Sequence, residues 1–218
     1  DYFCIVSSFD CPIFNPFFID RVLIGARQSG ADFVLCLNKM DLDVADKDQV
    51  LKELNYYRDL GVTIFEVSAH DNQGVDELKV FLKGKKSVFV GTSGVGKSSL
   101  LNTISPSLDI KTQETREKAR GRGRHTTVMS TFHYLEDDDL YIIDTPGFRE
   151  FNLMEISKDE LKFYFPEFEG LDSCKFNNCQ HVHELGCKVI AAVEDEEIYE
   201  RRYDSYLRIL DTLPKSDT

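Results

Sequence analysis

The sequence has no apolar run approaching the roughly 18 residues that a bilayer-spanning helix requires, and no basic, apolar, small-residue opening of a secretory leader. These absences read as a soluble cytosolic protein. Internal repeats and low-complexity tracts are also lacking. Positive charge is scarce: 26 Lys and Arg face 38 Asp and Glu, for a formal net charge of -12. A surface that wraps nucleic acid uniformly is thereby excluded, because phosphate binding needs clustered cations. One stretch departs from this balance. KTQETREKARGRGRH, residues 111–125, holds six Lys or Arg against two Glu, a local net of +4. A solvated basic loop and an RNA contact both fit it. Position 1 is Asp rather than Met, and the apolar YFCIVSS begins at once, so upstream material is expected.

Cysteines are few. Cys4, Cys11 and Cys36 are dispersed among apolar neighbours and read as small core residues. Cys174, Cys179 and Cys187 crowd into one polar stretch, where a reducing cytosol favours metal over disulfides.

What is present is a chain of 218 residues, 42% hydrophobic, enough for one large domain and a small one. Apolar strands (YFCIVSS, ADFVLCLNK, VTIFEVSA, KSVFVGTSG) alternate with helical patterns at 14–30, 46–60 and 74–82. Asn15 fits an N-cap, Pro16 a first turn, and Gly30 and Gly61 fit terminators. This winding predicts a mostly parallel sheet with helices on both faces. Residues 106–127 form a long polar loop, followed by two strands, TVMSTFHYL and DLYIIDT, whose acidic turn suggests an antiparallel hairpin at the sheet edge. Beyond residue 150 the spacing predicts one short helix over 157–168, ended by Pro166, and a longer one over 189–211. The longer helix would carry Tyr199, Tyr203, Tyr206 and Leu210 on one face and a Glu197–Arg201 pair.

Three motifs carry chemistry. GTSGVGKS, Gly91–Ser98, fits G-x-x-x-x-G-K-[ST] between an apolar strand and a helix. Its glycines let the backbone curl so that N–H groups face phosphate oxygens, making Gly91, Ser93, Gly94, Val95, Gly96, Lys97, Ser98 and Ser99 candidate nucleotide contacts. Lys97 would reach the terminal phosphates and the Ser98 hydroxyl would bind Mg²⁺. In DTPG, Asp144 can hold Mg²⁺ through water and Gly147 can offer its amide to a γ-phosphate. NKMD, ending a strand, supplies base selection. Asp41 would accept from the two donors that guanine presents and adenine does not, as a buried carboxylate that is costly to leave unpaired. Asn38 would tie the loop to its surroundings, the Lys39 stem would lie along the base, and the backbone of Ser68 and Ala69 in SAH would reach the guanine carbonyl. Downstream, C-x4-C-x-H-x5-C gives Cys174, Cys179, His181 and Cys187 as ligands for a tetrahedral structural Zn²⁺, with His183 as rival for the histidine position.

The base-specificity element therefore precedes the phosphate loop, the reverse of the usual order. The motif set resembles a translation-factor-type GTPase that has been circularly permuted, an operation that preserves the pocket because a sheet depends on spatial and not chain order. With FNPFFIDRVL, GTSGVGKSSLLN, RGRHTT, DTPGFREF and the cysteine cluster, the sequence resembles the bacterial ribosome small-subunit-dependent GTPase A family (RsgA, also called YjeQ) throughout its length. That resemblance implies an α/β fold, a P-loop GTPase fold of circularly permuted strand order, spanning 1–153, then a small mostly helical zinc-binding domain at 154–218. It also implies an OB-fold ahead of Asp1, absent from this chain. The implied activity is hydrolysis of GTP to GDP and phosphate in late maturation of the small ribosomal subunit, stimulated by that subunit. The expected partners are the subunit and its rRNA, with no membrane, in a cytoplasmic monomer.

Many GTPases place a Gln after the D-x-x-G glycine to orient the attacking water; here Phe148 stands there and can neither donate nor accept. His125, in GRHTT, is the candidate to position that water, the alternative being a phosphate or RNA contact. Thr127 is the expected Mg²⁺ ligand and γ-phosphate sensor, with Thr126 as its rival. Lys97 completes the catalytic set. The competing readings are a GTP-dependent ribosome-binding module with little catalysis, a permuted large-subunit assembly GTPase, and a P-loop ATPase or kinase.

Overall fold

The computed structural model describes residues 1–43, 47–110, 130–145, 153 and 156–214. Its framework is a six-stranded sheet of β1 (Tyr2–Ser8), β2 (Asp32–Asn38), β3 (Thr63–Glu66), β4 (Lys86–Val90), β5 (Thr131–Leu135) and β6 (Leu140–Asp144), in the order β3-β2-β1-β4-β6-β5. All neighbours run parallel except β5 and β6, the edge hairpin that the acidic turn announced. Four helices belong to the winding: α1 (Pro16–Gln28), α2 (Lys47–Asp59), α3 (Val75–Leu82) and α4 (Lys97–Ile104). The N-cap expected at Asn15 is made, its side-chain oxygen accepting from the Phe18 N–H at 3.2 Å.

The period-two alternation of the strands explains the core. Cys4, Val6, Val34, Cys36, Phe89, Leu140 and Ile142 share a buried cluster with Leu78 and Leu82 of α3 and Leu100, Leu101 and Ile104 of α4. The alternate residues Ile5, Leu35 and Leu37 are fully buried too, as a sheet covered on both faces requires. Each such side chain contributes about 1.5–3 kcal/mol through burial. Of the dispersed cysteines, Cys4 and Cys36 lie in this core, whereas Cys11 is exposed in the loop after β1. Its flanking apolar residues mark a loop and not a strand.

Parallel pairing of β1 with β4 sets where a ligand can bind. β2 and β3 lie outward of that pair on one side, and on the other the chain crosses from β4 to the edge strand β5 and returns to β6, which pairs with β4. The crevice outside the carboxyl ends of β1 and β4 is thus a topological switch point.

The chain divides into two compact units, residues 1–19 with 30–150 and residues 20–29 with 151–218. In the second, the two helices expected from periodicity are not continuous. Residues 157–168 form two short 3-10 turns, Leu161–Tyr164 and Pro166–Phe168. Phe165 precedes a proline and is held extended, so an α-helix cannot pass through it. The longer pattern is two helices, α5 (Lys188–Glu194) and α6 (Glu200–Thr212), broken where Glu196 adopts a left-handed φ of 61°. Glu197 consequently lies outside α6, and Arg201 pairs with Asp20 instead. Asp20 also receives Arg202 at 2.6 Å, while Arg202 Nε donates to Glu167 at 2.5 Å. Two carboxylates and two guanidiniums thus balance one another within the apolar surroundings of Phe165 and Tyr206. Burial is tolerable because each charge has a partner. Among the described residues no helix is long and apolar enough to cross a membrane.

Candidate functional site

Asn38 ends β2 and is 1% exposed. Its side chain is used at both atoms: Nδ2 donates to the Val95 carbonyl at 3.0 Å, and Oδ1 accepts from the Ala69 N–H at 3.0 Å. The Asn38 carbonyl accepts from the Phe9 N–H at 3.1 Å. One residue therefore joins the NKMD loop to the phosphate loop, the SAH loop and the loop after β1. The structure brings the base-reading and phosphate-reading elements together at the switch point, 57 residues apart in sequence across the Asn38–Val95 bond.

The chain turns sharply after Asn38. Lys39 has a φ of 67°, and Met40 N–H donates to the Val67 carbonyl at 3.2 Å. Lys39 Nζ donates to the Cys11 carbonyl, so its stem lies beside Gly96, with Cε 3.7 Å from where a Cβ on that glycine would sit. Asp41 is exposed, contrary to the buried carboxylate expected. The strand ends at Asn38, and the turn carries Asp41 out to the crevice mouth. The Ser68 hydroxyl donates to its Oδ1 at 2.6 Å and is the main reason its carboxyl titrates below the ordinary range. Asp41 is thus a directed, ionised acceptor at the crevice mouth and not a desolvated one. The Ser68–Ala69 backbone, expected to reach the guanine carbonyl, has its N–H groups engaged within the fold, Ser68 donating to the Gln73 carbonyl at 2.9 Å and Ala69 to Asn38. The Ala69 carbonyl in turn accepts from Thr103 Oγ1 of α4 at 3.1 Å.

The phosphate loop follows β4. A Cβ on Gly96 would stand 2.4 Å from Asn38 Nδ2, and one on Gly91 would stand 2.6 Å from the Val6 carbonyl oxygen, so both glycines are demanded by close approach. Gly96 also has a φ of 87° and leads directly into α4 at Lys97. The curled backbone and the helix N-terminus fit a phosphate chain, and Ser93, Gly94, Val95, Ser98 and Ser99 lie within this turn and first helical turn. Lys97, itself buried, forms an ion pair with Asp144, the last residue of β6, which is paired in register with Phe89 of β4. The lysine and the carboxylate expected to hold Mg²⁺ are thus side by side. Thr145 caps the end of β4, its hydroxyl donating to the Phe89 carbonyl at 2.6 Å. His125, Thr126, Thr127, Gly147 and Phe148 lie outside the described residues.

In the second unit, one ligand atom from each of Cys174, Cys179, His181 and Cys187 lies within 4.8 Å of the others. Zinc bound at about 2.3 Å to sulfur and 2.0 Å to nitrogen spans such a set, and the donors are of the type it prefers. The cluster contains His181 and not His183, and it is Nδ1 that faces the thiols, 3.3 Å from Cys187 Sγ and 3.7 Å from Cys174 Sγ. Burial pushes the Cys179 thiol up to about 12. Burial also works to raise Cys174, but the Lys188 N–H donating to its sulfur at 3.3 Å and the neighbouring thiols bring it below its ordinary value. Three residues that the spacing did not reveal build the histidine loop. Glu184 accepts from the N–H groups of Gln180, Val182 and His183 at 2.7, 2.8 and 3.0 Å. Tyr203 and Tyr206 of α6 donate their hydroxyls to the His181 and Gln180 carbonyls at 2.7 and 2.6 Å. The tyrosine stripe was visible as a helix face; its polar tips were not.

Two outcomes follow. Asn38→Ala removes both side-chain bonds and leaves the Val95 carbonyl and the Ala69 N–H without their partner. Affinity for GDP and GTP should fall together by about 1–3 kcal/mol, with preference over adenine nucleotides retained, as measured by titration calorimetry. For Glu184, burial raises the carboxyl but the amide donors outweigh it and hold it at about 2, against about 4.3 in an unfolded chain. Its stabilisation is therefore complete above about 4.3 and lost as pH falls toward 2. Denaturation midpoints should show Glu184→Gln less stable than the parent at neutral pH, with the gap closing across that acid window.

A family model described as RsgA GTPase matches residues 1–154. A small ribosomal subunit biogenesis GTPase RsgA of Chlorobaculum tepidum is 42% identical over 98% of this chain and 68% of its own length. The protein of that name from Flavobacterium johnsoniae is 41% identical over 97% of this chain and 65% of its own. Among solved structures, YjeQ from Thermotoga maritima superposes with a TM-score of 0.80 at 37% identity, covering 98% of this chain and 71% of that one. YloQ, described as a circularly permuted GTPase, gives 0.74 at 30% identity, covering 99% and 70%. The chain spans about two-thirds of the length of these relatives. The permuted motif order, the converged loops and these matches agree: the chain belongs to the RsgA GTPase family, an α/β fold with circularly permuted GTPase motifs.

Proposed function

We propose that this chain hydrolyses GTP to GDP and phosphate as a maturation factor of the small ribosomal subunit, late in assembly, with turnover stimulated by that subunit and its rRNA. The observation that carries the reading is the double hydrogen bond of Asn38, which makes one pocket of the guanine-reading and phosphate-reading loops. The names of the relatives, small ribosomal subunit biogenesis GTPases, support the choice of particle. The large-subunit alternative lacks such support.

In this reading residues 1–153 form the GTPase domain and 154–218 the zinc-binding domain, in a cytoplasmic monomer. Asp41 accepts the ring N–H and exocyclic amine of guanine, Ser68 keeps that carboxylate ionised and aimed, and the Lys39 stem flanks the base. The backbone of Gly91–Ser99 cradles the phosphates while Lys97 exchanges Asp144 for the β- and γ-oxygens. Ser98, Asp144 and Thr127 would hold Mg²⁺, which when bound neutralises charge developing between the phosphoryl oxygens. Gly147 offers its amide to the γ-phosphate. Phe148 cannot orient water, so His125 takes that role. A catalytic group in a stretch as polar as the sequence around His125 is productive only when a partner fixes it, which makes intrinsic turnover slow and stimulation large.

Phosphate release should rise with small ribosomal subunits and not with large ones, and the rise should weaken as salt increases. With small subunits saturating, His125→Ala should lower single-turnover hydrolysis by roughly 100-fold while leaving GDP affinity intact. An unchanged rate removes His125 from catalysis. No stimulation at all would favour the binding-module alternative that Phe148 leaves open.

A further inference from the structure

Thr103 lies beyond the phosphate-loop motif, in the second turn of α4. Its hydroxyl nevertheless meets two carbonyls, that of Ser99 one helical turn back at 2.9 Å and that of Ala69 in the SAH loop at 3.1 Å. A hydroxyl has one proton to give, so the two acceptors share it. The helix does not require this residue. Threonine is a mediocre helix former, and its bond to the carbonyl four residues back adds nothing to helix stability. What the hydroxyl supplies is the link to Ala69, 34 positions away in sequence.

Ala69 is a junction. Its N–H donates to Asn38 Oδ1 and its carbonyl accepts from Thr103, so the loop is held from β2 through one group and from α4 through the other. The preceding residue, Ser68, is the one that aims Asp41. Its hydroxyl accepts from the Asp71 N–H at 3.0 Å, which leaves its own proton directed to Asp41 Oδ1 at 2.6 Å. Ser68 and Gln73 exchange backbone bonds at 2.9 and 3.2 Å, closing the loop on itself without tying it to another element. A loop closed in this way moves as a unit, so the place of the Ser68 hydroxyl follows from where Ala69 is anchored. We propose that Thr103 is a positioning residue for base selection: through Ala69 and Ser68 it holds Asp41 in register with phosphates seated at the start of its own helix. The inference rests on the reading of the crevice as a guanine-nucleotide pocket and deepens it by naming a residue that sets specificity through others.

The test is titration calorimetry with guanosine and inosine diphosphates, which share the ring N–H and the carbonyl but differ by the exocyclic amine that Asp41 accepts. The ratio of the two affinities isolates that contact, and a general loss of stability does not move it. Thr103→Val, which keeps the shape and removes the hydroxyl, should lower the preference for guanosine diphosphate by roughly fivefold, the scale of one hydrogen bond. Thr103→Ser, which restores the hydroxyl, should return the ratio to that of the parent. If Thr103→Val does not fold, Thr103→Ala carries the comparison. In a Ser68→Ala background Thr103→Val should change the ratio little, because the route to Asp41 is already cut. An unchanged ratio in the variant without the hydroxyl, a preference that Thr103→Ser fails to restore, or full additivity with Ser68→Ala overturns the proposal. The failures are separable. A preference for guanosine diphosphate that the parent and the Thr103 variants share keeps the pocket and removes Thr103, whereas a parent with no preference removes Asp41 as the base reader and the inference with it.

Discussion

The Asn38 carboxamide is the constraint on which the pocket depends. A strand-end residue whose amide nitrogen and amide oxygen each bond to another loop can sit almost fully buried with neither atom left without a partner, and in doing so it fixes three loops at once. The same proximity explains Gly96, where any side chain would collide with the Asn38 amide. Geometry that looks local to the phosphate loop is therefore set from β2. Permutation leaves this untouched, because Asn38 and Val95 meet across the β2-β1-β4 part of the sheet and not along the chain.

The second unit is organised by a different economy of polar groups. Its two apolar clusters are joined by fixed polar contacts. Arg202 is held between Asp20 and Glu167, and the histidine loop is pinned by Glu184 from within and by two tyrosine hydroxyls from α6. Those outer contacts orient His181 so that Nδ1 faces the three thiols, the kind of support that lets a metal site form with little rearrangement.

How much of this could be read in the sequence varies with the range of the interaction. The β/α winding, the Asn15 cap, the edge hairpin and the three nucleotide motifs are encoded locally, by periodicity of two or 3.6 and by turn residues, and they were legible. The clustering of Cys174, Cys179, His181 and Cys187 was legible because their residue types and spacing are chemically unusual. The pattern misled where tertiary contacts or backbone geometry override periodicity. Residues 157–168 keep an amphipathic spacing but Phe165 must be extended before Pro166, and the left-handed Glu196 divides what looks like one helix. Arg201 has an apparent partner four residues away but takes one 181 positions distant. The exposure of Asp41 and the amide-accepting role of Glu184 depend on where a turn points its side chain, which spacing does not record.

The central claim is that Asp41 reads the base of the same nucleotide whose phosphates rest on the loop of Lys97. It is tested most directly by calorimetric titration of the parent and Asp41→Asn with guanosine and xanthosine diphosphates. Xanthine carries a carbonyl where guanine carries an amine, so the asparagine amide can donate to it where the aspartate could only repel. The account predicts that the substitution reverses the preference from guanosine to xanthosine diphosphate. Guanosine diphosphate binding that is indifferent to Asp41→Asn would contradict it.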